Sequence, residues 1–181
     1  KNNSSDSRIG VVSFFFFSKI KTNLNGKQLL KVGNTASETN IRAAIDGLTA
    51  SSGSTGADYA MAKAKDLFDA TSTHESVTTA SPRKKIVIFF TDGEPNHQSG
   101  YDTAVATAAI AAANTLKAAP YSASVYSIGV FSGLTGTDLT RVENYMKDLA
   151  SFKANSTTEK QYYPASDTTA LNTVFDSISN E

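Results

Sequence analysis

The chain has 181 residues, 40% of them apolar, with 17 basic and 17 acidic side chains. That size and apolar share suit one ordinary domain with a real core, and the charge balance leaves no long-range field to draw in nucleic acid or an anionic membrane. Cysteine is absent and histidine occurs twice, which removes disulfides, zinc–thiolate sites and thiol nucleophiles and leaves His74 and His97 as the only imidazoles.

Residues 8–17, with Ile9, Val11, Val12 and the run Phe14, Phe15, Phe16 and Phe17, predict a long β-strand. The phenylalanine cluster is too short to cross a bilayer and reads as core; no membrane span is expected anywhere. Asn25-Gly26 predicts a hairpin returning as a short antiparallel edge strand over residues 28–32. Lys19, Lys21, Lys27 and Lys31 around it would discourage edge pairing with other molecules. Ile41, Ala44, Ile45 and Leu48 recur at helical spacing over residues 38–48, with Ser37 or Thr35 as the cap. The loop Ser51-Ser52-Gly53-Ser54-Thr55-Gly56 then opens a helix over residues 57–70 with Tyr59, Ala60, Ala64, Leu67 and Phe68 facing inward. Residues 71–82 lack periodicity and predict an exposed connection, with His74 solvated in it.

Ile86-Val87-Ile88-Phe89-Phe90 reads as a strand buried on both faces that stops at Thr91-Asp92-Gly93-Glu94-Pro95. An alanine-rich helix follows over residues 101–119, ended by Pro120, and then a buried strand over residues 123–131. A helix over 138–152, a short strand over 161–163 and an amphipathic helix over 167–178 complete the order. Strands alternating with helices predict a three-layer αβα, Rossmann-like doubly wound sheet, mostly parallel with an antiparallel hairpin at one edge.

Two loops carry the chemistry. Asp92 ends a central parallel strand, where ligands collect in open α/β sheets, although an Asp before Gly also caps turns in any protein. The loop of Ser54, Thr55 and Gly56 offers hydroxyl oxygens, and hard oxygen donors suit magnesium, manganese or calcium far better than zinc. A phosphate loop is not indicated, because Gly56 is followed by Ala57 where that pattern has Lys-Ser/Thr.

The stretches Arg8-Ile9-Gly10-Val11-Val12-Ser13-Phe14, Gly53-Ser54-Thr55-Gly56, Ile86-Val87-Ile88-Phe89-Phe90-Thr91-Asp92-Gly93-Glu94-Pro95 and Val125-Tyr126-Ser127-Ile128-Gly129-Val130 resemble, in order and spacing, the von Willebrand factor A domains. That family includes the integrin inserted domains and the tips of Gram-positive pili. The resemblance implies a metal-ion-dependent adhesion site, with Thr55 and Asp92 as metal ligands, a divalent cation, Mg2+ first and Mn2+ or Ca2+ otherwise, and a partner's carboxylate completing the shell. Ser54 and Glu94 are neighbours of that site rather than ligands, Glu94 reading as a solvent-facing rim charge. The resemblance also implies that ligand binding couples to a shift of the last helix.

The sequence departs from the family in one respect. It has no Asp-x-Ser-x-Ser; Ser4-Ser5-Asp6-Ser7 has another order and precedes what is the family's second strand. The domain, residues 1–181, is therefore expected to be amino-terminally incomplete, lacking a first strand that the family places between the strands at 9–17 and 86–90. That strand would come from preceding residues or from another chain. Without it, each unsatisfied backbone group would cost about 1 kcal/mol or more.

The resemblance makes a cell-surface adhesin module the leading expectation, secreted and attached to a Gram-positive cell wall or pilus tip, gripping a host or extracellular-matrix protein. The alternative is an intracellular A domain serving as an assembly part of a larger complex. An enzyme is not expected, since no nucleophile elbow or oriented His–Asp pair is evident beside His97 and Ser54.

Overall fold

The computed structural model describes residues 7–49, 53–69, 84–165 and 168–179. The connection expected over residues 71–82, with His74, lies outside the described residues. The centre is a parallel three-stranded sheet in the order β5 (Ile86–Thr91), β6 (Ser124–Gly129), β7 (Tyr162–Pro164). Two antiparallel pairs accompany it, β1 (Arg8–Ile9) with β4 (Leu30–Lys31) and β2 (Val12–Phe14) with β3 (Ser18–Ile20).

The long strand expected over residues 8–17 is thus two short ones. At the break, the Val11 amide donates to Thr22 Oγ1 at 3.1 Å, and that hydroxyl donates to the Gln28 carbonyl at 2.7 Å, so a buried side chain replaces a ladder bond. The hairpin forms where Asn25-Gly26 predicts it, with both residues at positive φ (51° and 77°) and Leu24 bridged to Lys27. The segment Ser18–Ile20 was not anticipated as a strand; it folds back on Val12–Phe14 after the bend at Phe15 and Phe17.

Helix α1 (Thr35–Asp46) is capped by Asn34, whose side chain accepts the Ser37 amide at 3.0 Å, rather than by Ser37 or Thr35. Helix α2 (Ala57–Asp69) buries Ala57, Ala60, Met61 and Leu67. Tyr59, expected to face inward, is 43% exposed because it lies over the His97 ring, with centroids 4.6 Å apart. Helix α3 (Thr103–Lys117) starts at Asp102, which accepts the amides of Ala104 and Val105. Its small residues Ala106, Ala109 and Ala113 let it approach closely. Helices α4 (Gly136–Leu149) and α5 (Thr168–Ser179) complete the fold.

The layers follow from strand alternation. Val125 of β6 joins Phe89, Ala109, Leu116, Met146 and Leu149 in the main core under α2, α3 and α4. Ile128 points to the opposite face and packs with Ala165 and Val174 under α5. On β5, Phe89 belongs to the first face and stacks on Phe14 at 5.1 Å, joining the antiparallel pair to the parallel sheet through side chains. The expected burial of this strand on both faces does not occur: Ile86, Ile88 and Phe90 are 42–43% exposed. They share the Ile128 face, but α5 packs on Ile128 and the residues around β7, and no described element covers β5 on that side. Among the described residues β5 has a ladder partner, β6, along one edge alone.

Candidate functional site

Asp92 follows directly on β5 at its carboxyl end and is exposed. The turn after it is held locally: the Gly93 amide donates to Thr91 Oγ1 at 3.2 Å, and the Asn96 side-chain amide donates to the Glu94 carbonyl at 2.8 Å. These bonds fix the direction in which the strand ends, and so where the carboxylate stands.

The hydroxyl loop is tied to that turn by an antiparallel bridge between Thr55 and Asn96. The Asn96 amide donates to the Thr55 carbonyl at 3.1 Å, and the Thr55 amide donates to Asn96 Oδ1 at 3.3 Å. On its other side the Gly56 amide donates to the Phe15 carbonyl at 2.6 Å. A Cβ on Gly56 would fall 2.6 Å from that same carbonyl oxygen, so this position requires glycine for close approach. Gly93 is similar: a Cβ there would fall 2.7 Å from Thr55 Oγ1. The two residues anticipated as ligands, Thr55 and Asp92, are therefore brought to one corner, because Gly93 lies against the Thr55 hydroxyl.

Ser54 is 5% exposed, and its hydroxyl has no hydrogen-bond partner among the described residues. A buried hydroxyl without a partner costs about 1–3 kcal/mol unless something outside the described residues satisfies it. Together Asp92, Thr55 and Ser54 offer one carboxylate and two hydroxyls, a donor set that fits a hard cation in type and falls short of a full shell in number. No group of three His, Asp or Glu side chains suited to a metal occurs among the described residues.

Three contacts around the corner were not legible in advance. His97 Nε2 lies 2.9 Å from Asp58 Oδ1, joining the Asp92 turn to the first turn of α2. An oriented His–Asp pair is therefore present, although the sequence showed none, since Asp58 is 39 residues away. Glu94 is no free rim charge: its side chain is 19% exposed, and Arg141 of α4 donates to Glu94 Oε1 at 3.0 Å. Arg141 also pairs with Asp138 at 3.0 Å and lies over the Tyr101 ring, 4.6 Å from its centre. Ion pairing with Glu94 raises the Arg141 guanidinium above its ordinary range. The sole prior signal for Asn96 was its position in the turn beyond Gly93.

An αβα sheet with a carboxylate at a strand's carboxyl end, facing a hydroxyl loop that opens a helix, defines a ligand-binding α/β domain. The von Willebrand factor type A domain profile matches residues 3–177, and the chain belongs to that family. Among solved structures, the pilus adhesin SpaC from Lactobacillus rhamnosus GG is similar in fold with a TM-score of 0.62 at 15% sequence identity. The match covers 96% of this chain and 25% of that one, so the chain spans about a quarter of the adhesin's length. No curated protein matches the chain.

Proposed function

We propose that this domain is the ligand-binding module of a bacterial cell-surface adhesin and that it grips a carboxylate of a host or extracellular-matrix protein through a divalent cation, Mg2+ foremost. The carrying observation is the juxtaposition of Thr55 and Asp92, two hard oxygen donors on loops locked together through Asn96. The family and the fold shared with a pilus adhesin support the adhesive reading and, with it, a place outside the cell.

Asp92 would supply the negative charge that holds the cation, and Thr55 a neutral oxygen. A cation bound by one carboxylate and hydroxyls keeps enough positive charge to attract an anionic partner group. The protein's own part is to hold those oxygens in place: the Thr55–Asn96 bridge, the His97–Asp58 contact and the Glu94–Arg141 pair each anchor one of the two loops to a helix or turn.

The same proposal includes a further strand against the open edge of β5, supplied by preceding residues or by another chain. The open edge and the exposed stripe of Ile86, Ile88 and Phe90 support it. Such a strand would also be the natural source of additional oxygen ligands.

Attachment to immobilised extracellular-matrix proteins, measured with Mg2+ and with chelator, tests the metal-dependent grip. Asp92→Ala should abolish attachment while circular dichroism and the melting temperature stay close to those of the parent. Full attachment in chelator, or by Asp92→Ala, would sink the reading.

A further inference from the structure

A groove of about 700 Å³ runs between the start of α3 and the outer face of α4. That volume lies in the range of small-ligand sites, about 300–1,000 Å³. One wall is apolar, formed by the Tyr101 ring and Ile110; the other carries Thr137, Asn144 and Tyr145. Tyr145 is 3% exposed, yet its phenolic oxygen is buried without a hydrogen-bond partner among the described residues. Burial raises its ionisation well above the ordinary phenol range, so the hydroxyl is a neutral donor in search of an acceptor.

The charges restrict what could fill the groove. Arg141, the cation on the rim, is already engaged by Glu94 and Asp138, which leaves it a poor anchor for an anion. Asp148 is the one carboxylate lining the groove, too little for a cation cage. What remains is a flat aromatic and aliphatic wall facing hydroxyl and amide groups, the combination that matches a sugar ring, with its carbon face on one side and its hydroxyls on the other.

We propose that this groove is a saccharide-binding site separate from the Thr55–Asp92 corner, the Tyr101–Ile110 wall taking the carbon face of a sugar ring while Thr137, Asn144 and Tyr145 take its hydroxyls. The site needs no metal and does not depend on the adhesive grip proposed for the corner. Its rim nevertheless meets the corner, because Arg141 both lines the groove and holds Glu94.

The test is a titration of the isotope-labelled full chain with lactose, maltose and diacetylchitobiose, followed by backbone amide resonances in the presence of chelator. At least one sugar should shift the Thr137, Asn144 and Tyr145 signals saturably. Tyr145→Phe, which keeps the packed ring, should weaken that binding about tenfold, the effect of one lost buried hydrogen bond. Tyr101→Ala should weaken it further, and Asp92→Ala should leave it unchanged. The proposal fails if none of the three sugars shifts these signals, if binding survives both tyrosine substitutions at full strength, or if Asp92→Ala removes it.

Discussion

Gly93→Ala tests how closely the two loops of the corner are fitted. The added methyl carbon would stand 2.7 Å from Thr55 Oγ1, several tenths of an ångström inside ordinary contact, and 3.8 Å from Thr55 Cβ, which is comfortable. Retreat is difficult on both sides. Gly93 is held through its amide to Thr91, and Thr55 is pinned by Asn96 at its amide and carbonyl, while its neighbour Gly56 is pinned by Phe15. The cheaper relief is rotation of Thr55 about χ1, which a β-branched side chain resists and which costs about 0.5–1.5 kcal/mol. Overpacking in general costs about 1–3 kcal/mol, and at a partly exposed turn the lower end applies, about 1 kcal/mol. For a chain of this size that lowers the melting temperature by about 2–4 °C. Rotation also turns the hydroxyl away from Asp92, so Mg2+ affinity should fall about 10–100-fold, a loss of the size seen when the support of a ligand is removed. Calorimetric melting and isothermal titration with Mg2+ measure the two effects. The double variant Gly93→Ala/Thr55→Ala provides the control, because without Oγ1 the clash disappears and the stability cost of Gly93→Ala should vanish. Unchanged melting and Mg2+ affinity in Gly93→Ala, or an equal stability cost with and without the Thr55 hydroxyl, would refute the reasoning.

Two further predictions concern stability. Asp102→Ala removes the acceptor for the Ala104 and Val105 amides at the start of α3 and should destabilise the fold by about 1 kcal/mol in urea denaturation, while Asp102→Asn should restore most of it; an unchanged midpoint in Asp102→Ala would refute the capping role. Burial, with Lys160 nearby adding repulsion, lowers Lys117 from 10.5 to about 8. Between those values the unfolded chain binds more protons than the folded one, so this lysine makes stability rise as pH climbs from about 8 to 10.5, its penalty being fully present below that window. The ammonium is only half buried and donates to the Asp148 and Ala150 carbonyls, so solvent screening limits the effect to about 1 kcal/mol. Lys117→Met should flatten that part of the stability–pH curve, and an identical curve in the variant would show that Lys117 does not contribute.

Much of the architecture was legible along the chain because period and punctuation are local properties. Asn25-Gly26 turned where its backbone preference demands, the alanine-rich segment before Pro120 became α3, and the run before Asp92 became β5. The pairing of Thr55 with Asp92 came from resemblance to the family, and the coordinates bring the two loops together through Gly93 and Asn96. Glu94 was misjudged because its partner Arg141 lies 47 residues away on α4, and Tyr59 because its helical position says nothing of His97 waiting outside the helix.

The sequence by itself determined the order and type of the elements and the oxygen chemistry of the two loops, since both depend on residues close along the chain. Tertiary structure alone decided which strand faces are covered. Ile86, Ile88 and Phe90 form an apolar stripe in any register, but burial requires another element to lie across them, and α5 settles on Ile128 and Ala165 instead. The same distinction applies to Asp92: its position at the strand end is written in the residues around it, whereas its company, Thr55 bound through Asn96 and Glu94 tied to Arg141, exists only once distant segments have packed.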